Sequence, residues 1–413
     1  MKRTILVCAG LIAFSCQHAT PIANTQTSMP ERMPSAASTF ISALPESYTC
    51  AQATASNKGS ANHPVMGEQY CMGDEEAEFQ REGHIMQRLQ EKLQAKTSGP
   101  ALQRGFHGKH QGCLKGILTI QDHLSPRAKF GIFAAPTSYK ILARFSNGVG
   151  FTQADDKPDM RGFAFKVLGR TADGRLSDGE PNVRTQDFVM TNHPTPVGKN
   201  SVEFMDFAQA NVEGGIALAY FVLGHADTTG KTLGDILFHQ PEMNSMATEP
   251  YWGGTAFRLG PDQAVKFILK PEASDNSYAV SRSDFNYLRE ELASRSRSEQ
   301  IKYQLYVQYQ KNANDTPVEN PFKVWDKAKP QTERVGELRF FKQDFVSEEK
   351  QQYCERLSMS VWHNLKDHEP MGNLNRARRV IYSASASKRG GGVVPQEPTV
   401  ADVEKVFGPF QDD

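Results

Sequence analysis

Between Cys113 and Asn192 the chain breaks into short runs, CLKGILTI, AKFGIFA, YKILARFS, RGFAFKVLG and QDFVMTN, bounded by glycine, proline or aspartate. Several alternate apolar with polar residues, the two-residue period of a strand with one face on a core. The same texture returns in TAFRLG, QAVKFILKP, IKYQLYVQYQ and VGELRFFKQ, between Thr255 and Gln343. Hairpin-like spacing predicts antiparallel pairing. Two batches of strands set apart by helices predict an α+β fold with an antiparallel sheet, or a barrel large enough to be closed.

The helical segments show a different period. Phe79, Ile85, Met86, Leu89 and Leu93 recur on one face of a predicted helix over Asp74–Thr97. Further helices are expected over Ser201–Gln240, Asp284–Ser294 and Leu374–Ser385. Within the first of these, GIALAYFVLG (Gly215–Gly224) is too short to span a bilayer and reads as a buried helix. No GxGxxG follows a strand, which argues against a dinucleotide fold, and no internal repeat is seen.

Composition removes one class of function. Lys+Arg 47 against Asp+Glu 47 leaves no basic excess, so no nucleic-acid partner is expected. The amino end, MKR followed by TILVCAGLIAFS, has the form of a secretory signal, and Cys16 after Ser15 resembles a lipoprotein processing site. The chain therefore divides into a signal (1–16), a flexible tether (17–48), an N-terminal helical segment (49–100) and the barrel domain (101–413). Export to a bacterial periplasm is expected, or attachment to the cell envelope membrane through a lipidated Cys16. Cys50 and Cys71 could close a short loop as a disulfide in that compartment; otherwise Cys50, Cys71, Cys113 and Cys354 are free or buried.

The stretch RGFHGKHQG gathers Arg104, His107, Lys109 and His110 among glycines. Two histidines three apart could share a metal ion, but the neighbouring cations repel one and suit an anionic ligand better. A phosphate loop and a single working histidine are the other readings, with His110 facing solvent or a backbone carbonyl. In ARFSNGVGF, Arg144 and Ser146 occupy alternate strand positions and so share a face. Asn192 ends a strand before a proline-rich turn, and Tyr251 precedes Arg258 by seven residues.

In this order, RGFHGKHQG, ARFSNGVGF, DMRGFAFKVLG, QDFVMTNHP, PYWGGTAFRLG and VWHNLKDHEPMGNLNRARRVIY, spanning Arg104 to Tyr382, resemble the haem catalase superfamily. The likeness is to its short catalase-related branch rather than to the long typical enzymes. The resemblance implies an α+β fold built on a closed antiparallel β-barrel of the catalase type with surrounding helices, and haem b as cofactor. It implies that His107 is the distal histidine, Asn192 the distal asparagine and Ser146 the residue that orients His107. By the same resemblance Tyr251 is the axial ligand of the iron, and Arg104, Arg144 and Arg258 pair with the haem propionates. Arginine suits that task because its planar fork makes bidentate bonds to carboxylates.

The departures from typical catalases matter as much. Those enzymes carry an arginine four residues before the axial tyrosine; before Tyr251 that position is Ala247. Phe106 stands before His107 where they have a valine, and Gly148 stands where a valine narrows their channel. A wider channel is expected, open to organic hydroperoxides. The leading expectation is a catalase-type enzyme, peroxidase or catalase, acting on hydrogen peroxide or organic hydroperoxides. The alternatives are an allene oxide synthase-like isomerase or dehydratase of fatty-acid hydroperoxides, and a haem-binding or storage lipoprotein without turnover.

Overall fold

A computed structural model describes residues 50–51, 66–68, 70–71, 75–95, 104–170, 183–239, 243–273, 280–325, 331–393 and 395–411. The expected signal, with Cys16, and the expected tether lie outside these residues.

Eight strands close a barrel: β3 (His110–Ile120), β4 (Ser138–Asn147), β5 (Arg161–Val167), β6 (Gln186–Thr191), β7 (Tyr251–Trp252), β9 (Ala264–Pro271), β10 (Ile301–Tyr309) and β11 (Thr332–Phe340). Each pairs antiparallel with the next, and β11 returns to β3. A short β8 (Phe257–Arg258) adds to β9 alone. Apart from the barrel, β1 (Cys50–Ala51) pairs with β2 (Tyr70–Cys71), with Cys50 opposite Cys71. Their side chains, and so the bridge expected between them, lie outside the described residues.

Register fills the barrel. Phe145 faces Phe163 across β4 and β5, and Phe165 faces Phe188 across β5 and β6. Their rings meet at 4.7 Å edge-on and 4.5 Å stacked. With Leu114, Leu118, Phe267, Leu305, Leu338 and Phe340 they pack a continuous core. A small barrel filled by its own side chains has no room for a ligand inside, so a site can only form on the outer face, under the helices.

Those helices are α1 (Glu75–Ala95), α2 (Ser201–Glu213), α3 (Gly215–Gly224), α4 (Thr229–His239), α5 (Tyr287–Ser298), α6 (Glu348–Arg356), α7 (Asn373–Arg389) and α8 (Val400–Phe407). α1 buries the predicted apolar face and lies along α7, where Gly83 sits against Val380 and Ala384. Buried Arg376 of α7 fixes the pair by bonding Glu68, Glu75 and Glu319.

Three local expectations change. The helical stretch from Ser201 is three helices: Gly214 (φ 71°) and Gly215 (φ 54°) turn the chain at the first break, where an L-residue is strained, and residues 225–228 form the turn at the second. AKFGIFA is no strand: Pro126 opens one single-turn 3₁₀ helix, and Gly131 (φ 58°) starts another. GIALAYFVLG is helical but not buried, since Ile216, Tyr220 and Leu223 face solvent. A disulfide joins Cys113 of β3 to Cys354 of α6, closing a loop 241 residues long.

Candidate functional site

A cavity of about 410 Å³ lies between the outer face of β4–β6 and helices α1, α2, α3, α4 and α7. The strand wall is built by alternation. Phe145 and Phe163 point into the barrel, so Arg144, Ser146, Gly162 and Ala164 point out and line the cavity.

His107 enters from the loop before β3. Its φ of 55° is the one positive value for a non-glycine among the described residues, a conformation that costs roughly 1–2 kcal/mol. Its neighbours hold it there. The His107 N–H donates to Gly148 O at 2.7 Å, and its carbonyl accepts from Arg144 Nη2 at 3.0 Å. Nδ1 lies 3.1 Å from Ser146 Oγ. Gly162 makes the space: a Cβ there would stand 2.4 Å from His107 Nδ1 and 2.6 Å from Ser146 Oγ. Burial, then the Arg144 guanidinium, pushes the imidazole pKa down to about 4. His107 is therefore neutral at pH 7, oriented, and able to accept a proton.

An arginine cluster lies beside it. Arg104, Arg144 and Arg389 all line the cavity. Glu355 of α6 bonds Arg104 at 2.9 Å and stands 4.0 Å from Arg144, and its carbonyl is 3.5 Å from Arg389. Burial, then the charge of Arg104, lowers Arg144 well below the usual guanidinium range and Arg389 to about 9. Arg144 Nε and Arg389 Nε are buried and have no protein partner. Three cations gathered around Glu355, only two of them at its carboxylate, with donors left over, fit an anionic ligand bearing carboxylates.

Tyr382 also lines the cavity, from α7, and Arg378 lines it one helical turn earlier. This is the arginine-four-before-tyrosine spacing that Ala247 breaks ahead of Tyr251. Neither residue was singled out in the sequence, although both stand in NLNRARRVIY. The spacing was the signal that could have found them.

Several expected residues lie elsewhere. Tyr251 is 0% exposed inside the barrel, 5.1 Å from the Phe163 ring, and its hydroxyl donates to Met246 O at 2.9 Å. Burial raises its pKa well above the usual phenol value. A core phenol sealed inside the barrel does not line this cavity, so its expected role as axial ligand at this site is corrected. Arg258 is also off the cavity, spent on Gly260 O at 2.8 Å and Glu369 at 3.5 Å. Asn192 turns away from it: Oδ1 accepts the Arg161 N–H at 2.7 Å and Nδ2 donates to Glu249 at 3.3 Å. Thr191 lines the cavity in its place. Nor does His110 face solvent or a carbonyl. It is buried 3.7 Å from Glu355, and burial with Arg144 drives it down to about 2, so it is neutral and makes no ion pair.

Gly148 does not widen the channel as expected. A Cβ there would meet Met160 O at 2.6 Å and Asp159 Oδ1 at 2.8 Å rather than open space. The cavity is apolar for another reason: Phe106 packs on Phe204 (5.0 Å) and Phe207 (6.3 Å), and Phe151, Leu233 and Ile236 complete that side.

No protein-family model and no curated protein sequence matches the chain. Among solved structures it is similar to a fungal catalase, with a TM-score of 0.57 and 17% identity over 72% of this chain. The chain spans 60% of that catalase's length. The protein thus has a catalase-like fold.

Proposed function

We propose that the chain binds haem b in this cavity and reduces peroxides there, as a catalase-type haem peroxidase of the cell envelope. One observation carries the reading. A single cavity brings together a neutral imidazole aligned by Ser146, a tyrosine with an arginine one turn before it, and an arginine cluster short of anions. Tyr382 would hold the iron, and Arg104, Arg144 and Arg389 would hold the propionates. When bound, haem supplies the iron on which peroxide is reduced. A cation on the same helix face favours an anionic tyrosine, which is the role this reading gives Arg378.

The chain's own chemistry is proton transfer. Breaking the O–O bond heterolytically requires a proton to leave the inner oxygen and reach the outer one. His107, neutral and held through Nδ1, accepts it at Nε2 and returns it. The hydroperoxide takes up two electrons and two protons and leaves as an alcohol and water. The electrons come from a small phenolic donor, or from a second hydrogen peroxide that leaves as dioxygen. The phenylalanine-rich side of the cavity favours organic hydroperoxides over hydrogen peroxide alone. The His107–Ser146 pair has no use in storage without turnover. The signal-like amino end and the Cys113–Cys354 disulfide support an oxidising, exported location.

The test is a haem titration followed by peroxide addition with a phenolic donor. The expected result is stoichiometric binding, then consumption of cumene hydroperoxide and hydrogen peroxide. Haem bound with neither peroxide consumed would favour storage; no haem bound would remove the reading altogether.

A further inference from the structure

The cavity wall continues outward into an apolar surface. Helix α3, GIALAYFVLG, carries no charged residue. On its inner side Leu218 lines the cavity, Phe221 packs 6.0 Å from the Phe207 ring, and Val222 is buried. On its outer side Ile216, Tyr220 and Leu223 are 73%, 70% and 57% exposed. At the helical repeat these three fall within about 60° of one another, so they form one stripe. A helix that is apolar all round belongs in a protein core or a lipid environment.

We propose that α3 is a lid that docks on a lipid bilayer, and that the substrate is a long-chain lipid hydroperoxide taken from that bilayer. The substrate assignment rests on the peroxide-reducing reading above; the docking rests on the helix. Three features select a bilayer over a second copy of the chain. First, the helix that faces outward is also a wall of the cavity that holds His107, so whatever covers its stripe adjoins that cavity. A bilayer there would bring an acyl hydroperoxide to that wall, which a second copy would cover with protein. Second, charge begins only where the helix ends, with Glu213 before it and Asp227 and Lys231 after it, all exposed. An uncharged segment of ten residues between polar flanks is too short to span and suits lying in the interface. Tyr220, apolar in body and polar at its tip, is suited to that depth. Third, the lipoprotein-like Cys16 expected from the sequence would tether the chain at a membrane. Behind the lid, Phe204, Phe207, Leu233, Ile236 and Leu237 offer an acyl chain an apolar lining shared with His107.

The experiment uses the haem-loaded full chain and its Ile216→Asp/Leu223→Asp variant, with and without unilamellar phosphatidylcholine vesicles. Hydrogen exchange across residues 215–224 is read, together with turnover of a phospholipid hydroperoxide in the vesicles and of cumene hydroperoxide in water. The expected result is that vesicles protect 215–224 in the parent chain and not in the variant. The variant should lose about tenfold or more of its rate on the vesicle substrate and keep its cumene hydroperoxide rate within about twofold. The docking is overturned if vesicles leave exchange at 215–224 unchanged. It is equally overturned if the segment is already protected without vesicles, by a dimer that the variant dissociates or by residues 1–65. Equal losses on both substrates would overturn the lid role. If the parent consumes neither hydroperoxide, the peroxide reading and the substrate assignment fall together, while the exchange data still decide the docking.

Discussion

Two walls of the cavity, the barrel strands and helix α7, are built on different principles. The barrel wall takes its side chains from strands whose register is locked by hydrogen bonds on both sides: Arg144 sits opposite Ala164 and Ser146 opposite Gly162. Its polar groups are closely packed: a methyl group at Gly162 would stand 2.4 Å from His107 Nδ1 and 2.6 Å from Ser146 Oγ. The wall from α7 is a helix whose position depends on what it packs against, here α1 through Gly83 and the Arg376 carboxylate cluster. The barrel wall is suited to aligning a proton carrier. The helix wall, held by tertiary contacts, is suited to carrying a ligand on a face chosen by the i, i+4 spacing of Arg378 and Tyr382.

The sharpest way to break that division is to remove the proposed proton carrier alone. His107→Ala should keep haem and lose about 10²–10⁴-fold in peroxide cleavage, the usual contribution of a positioned acid–base group. Stopped-flow mixing with peroxide checks it, and an unchanged rate would take the role from His107. Gly162→Ala tests the alignment without touching the histidine. The added methyl would displace Nδ1 from Ser146, so the expected outcome is retained haem with a cleavage rate lower by about tenfold or more. Repacking should cost about 1–3 kcal/mol in urea denaturation.

Acidity sharpens the comparison further. The folded pKa of His107, about 4, lies below its ordinary value, so the imidazole stays neutral as pH falls from 7. Activity should persist through pH 6 and decline only near pH 4. Arg144→Gln removes the largest cause after burial and should move that limb to higher pH. Stability has the matching sign. Between about pH 4 and 6.5 the unfolded chain binds a proton that the native chain refuses, so stability is lost as pH falls, by at most about 1.4 kcal/mol per unit from this histidine. Urea midpoints across that window check the direction.

Much of the barrel wall was legible in the sequence. Alternation alone places Arg144 and Ser146 on one face, and the two batches of short runs foretell an antiparallel sheet or barrel, which the resemblance narrows to a closed one. The helix wall was not read, for a physical reason. A closed barrel gives half of every strand to a packed interior, so a tyrosine in a strand, such as Tyr251, belongs to the core unless something shows otherwise. Asn192 failed similarly, because one residue along a strand end reverses the facing direction, and Thr191 points where Asn192 was expected. The cue for Tyr382 was the missing arginine at Ala247. The one-turn spacing missing there stands in NLNRARRVIY. The fate of GIALAYFVLG could not be read from hydropathy, since an apolar helix that is covered by the protein and one that lies at its surface have the same composition.

The central claim is that the ligand-bearing tyrosine belongs to the helix and not to the barrel. The most direct test is the optical spectrum of the haem-titrated protein beside those of Tyr382→Phe and Tyr251→Phe. The account predicts that Tyr251→Phe binds haem with the parent spectrum and loses only about 1 kcal/mol of stability, from its bond to Met246 O. It predicts that Tyr382→Phe loses tight binding or shifts the Soret band. A parent-like spectrum in Tyr382→Phe, with the change appearing in Tyr251→Phe, would contradict it.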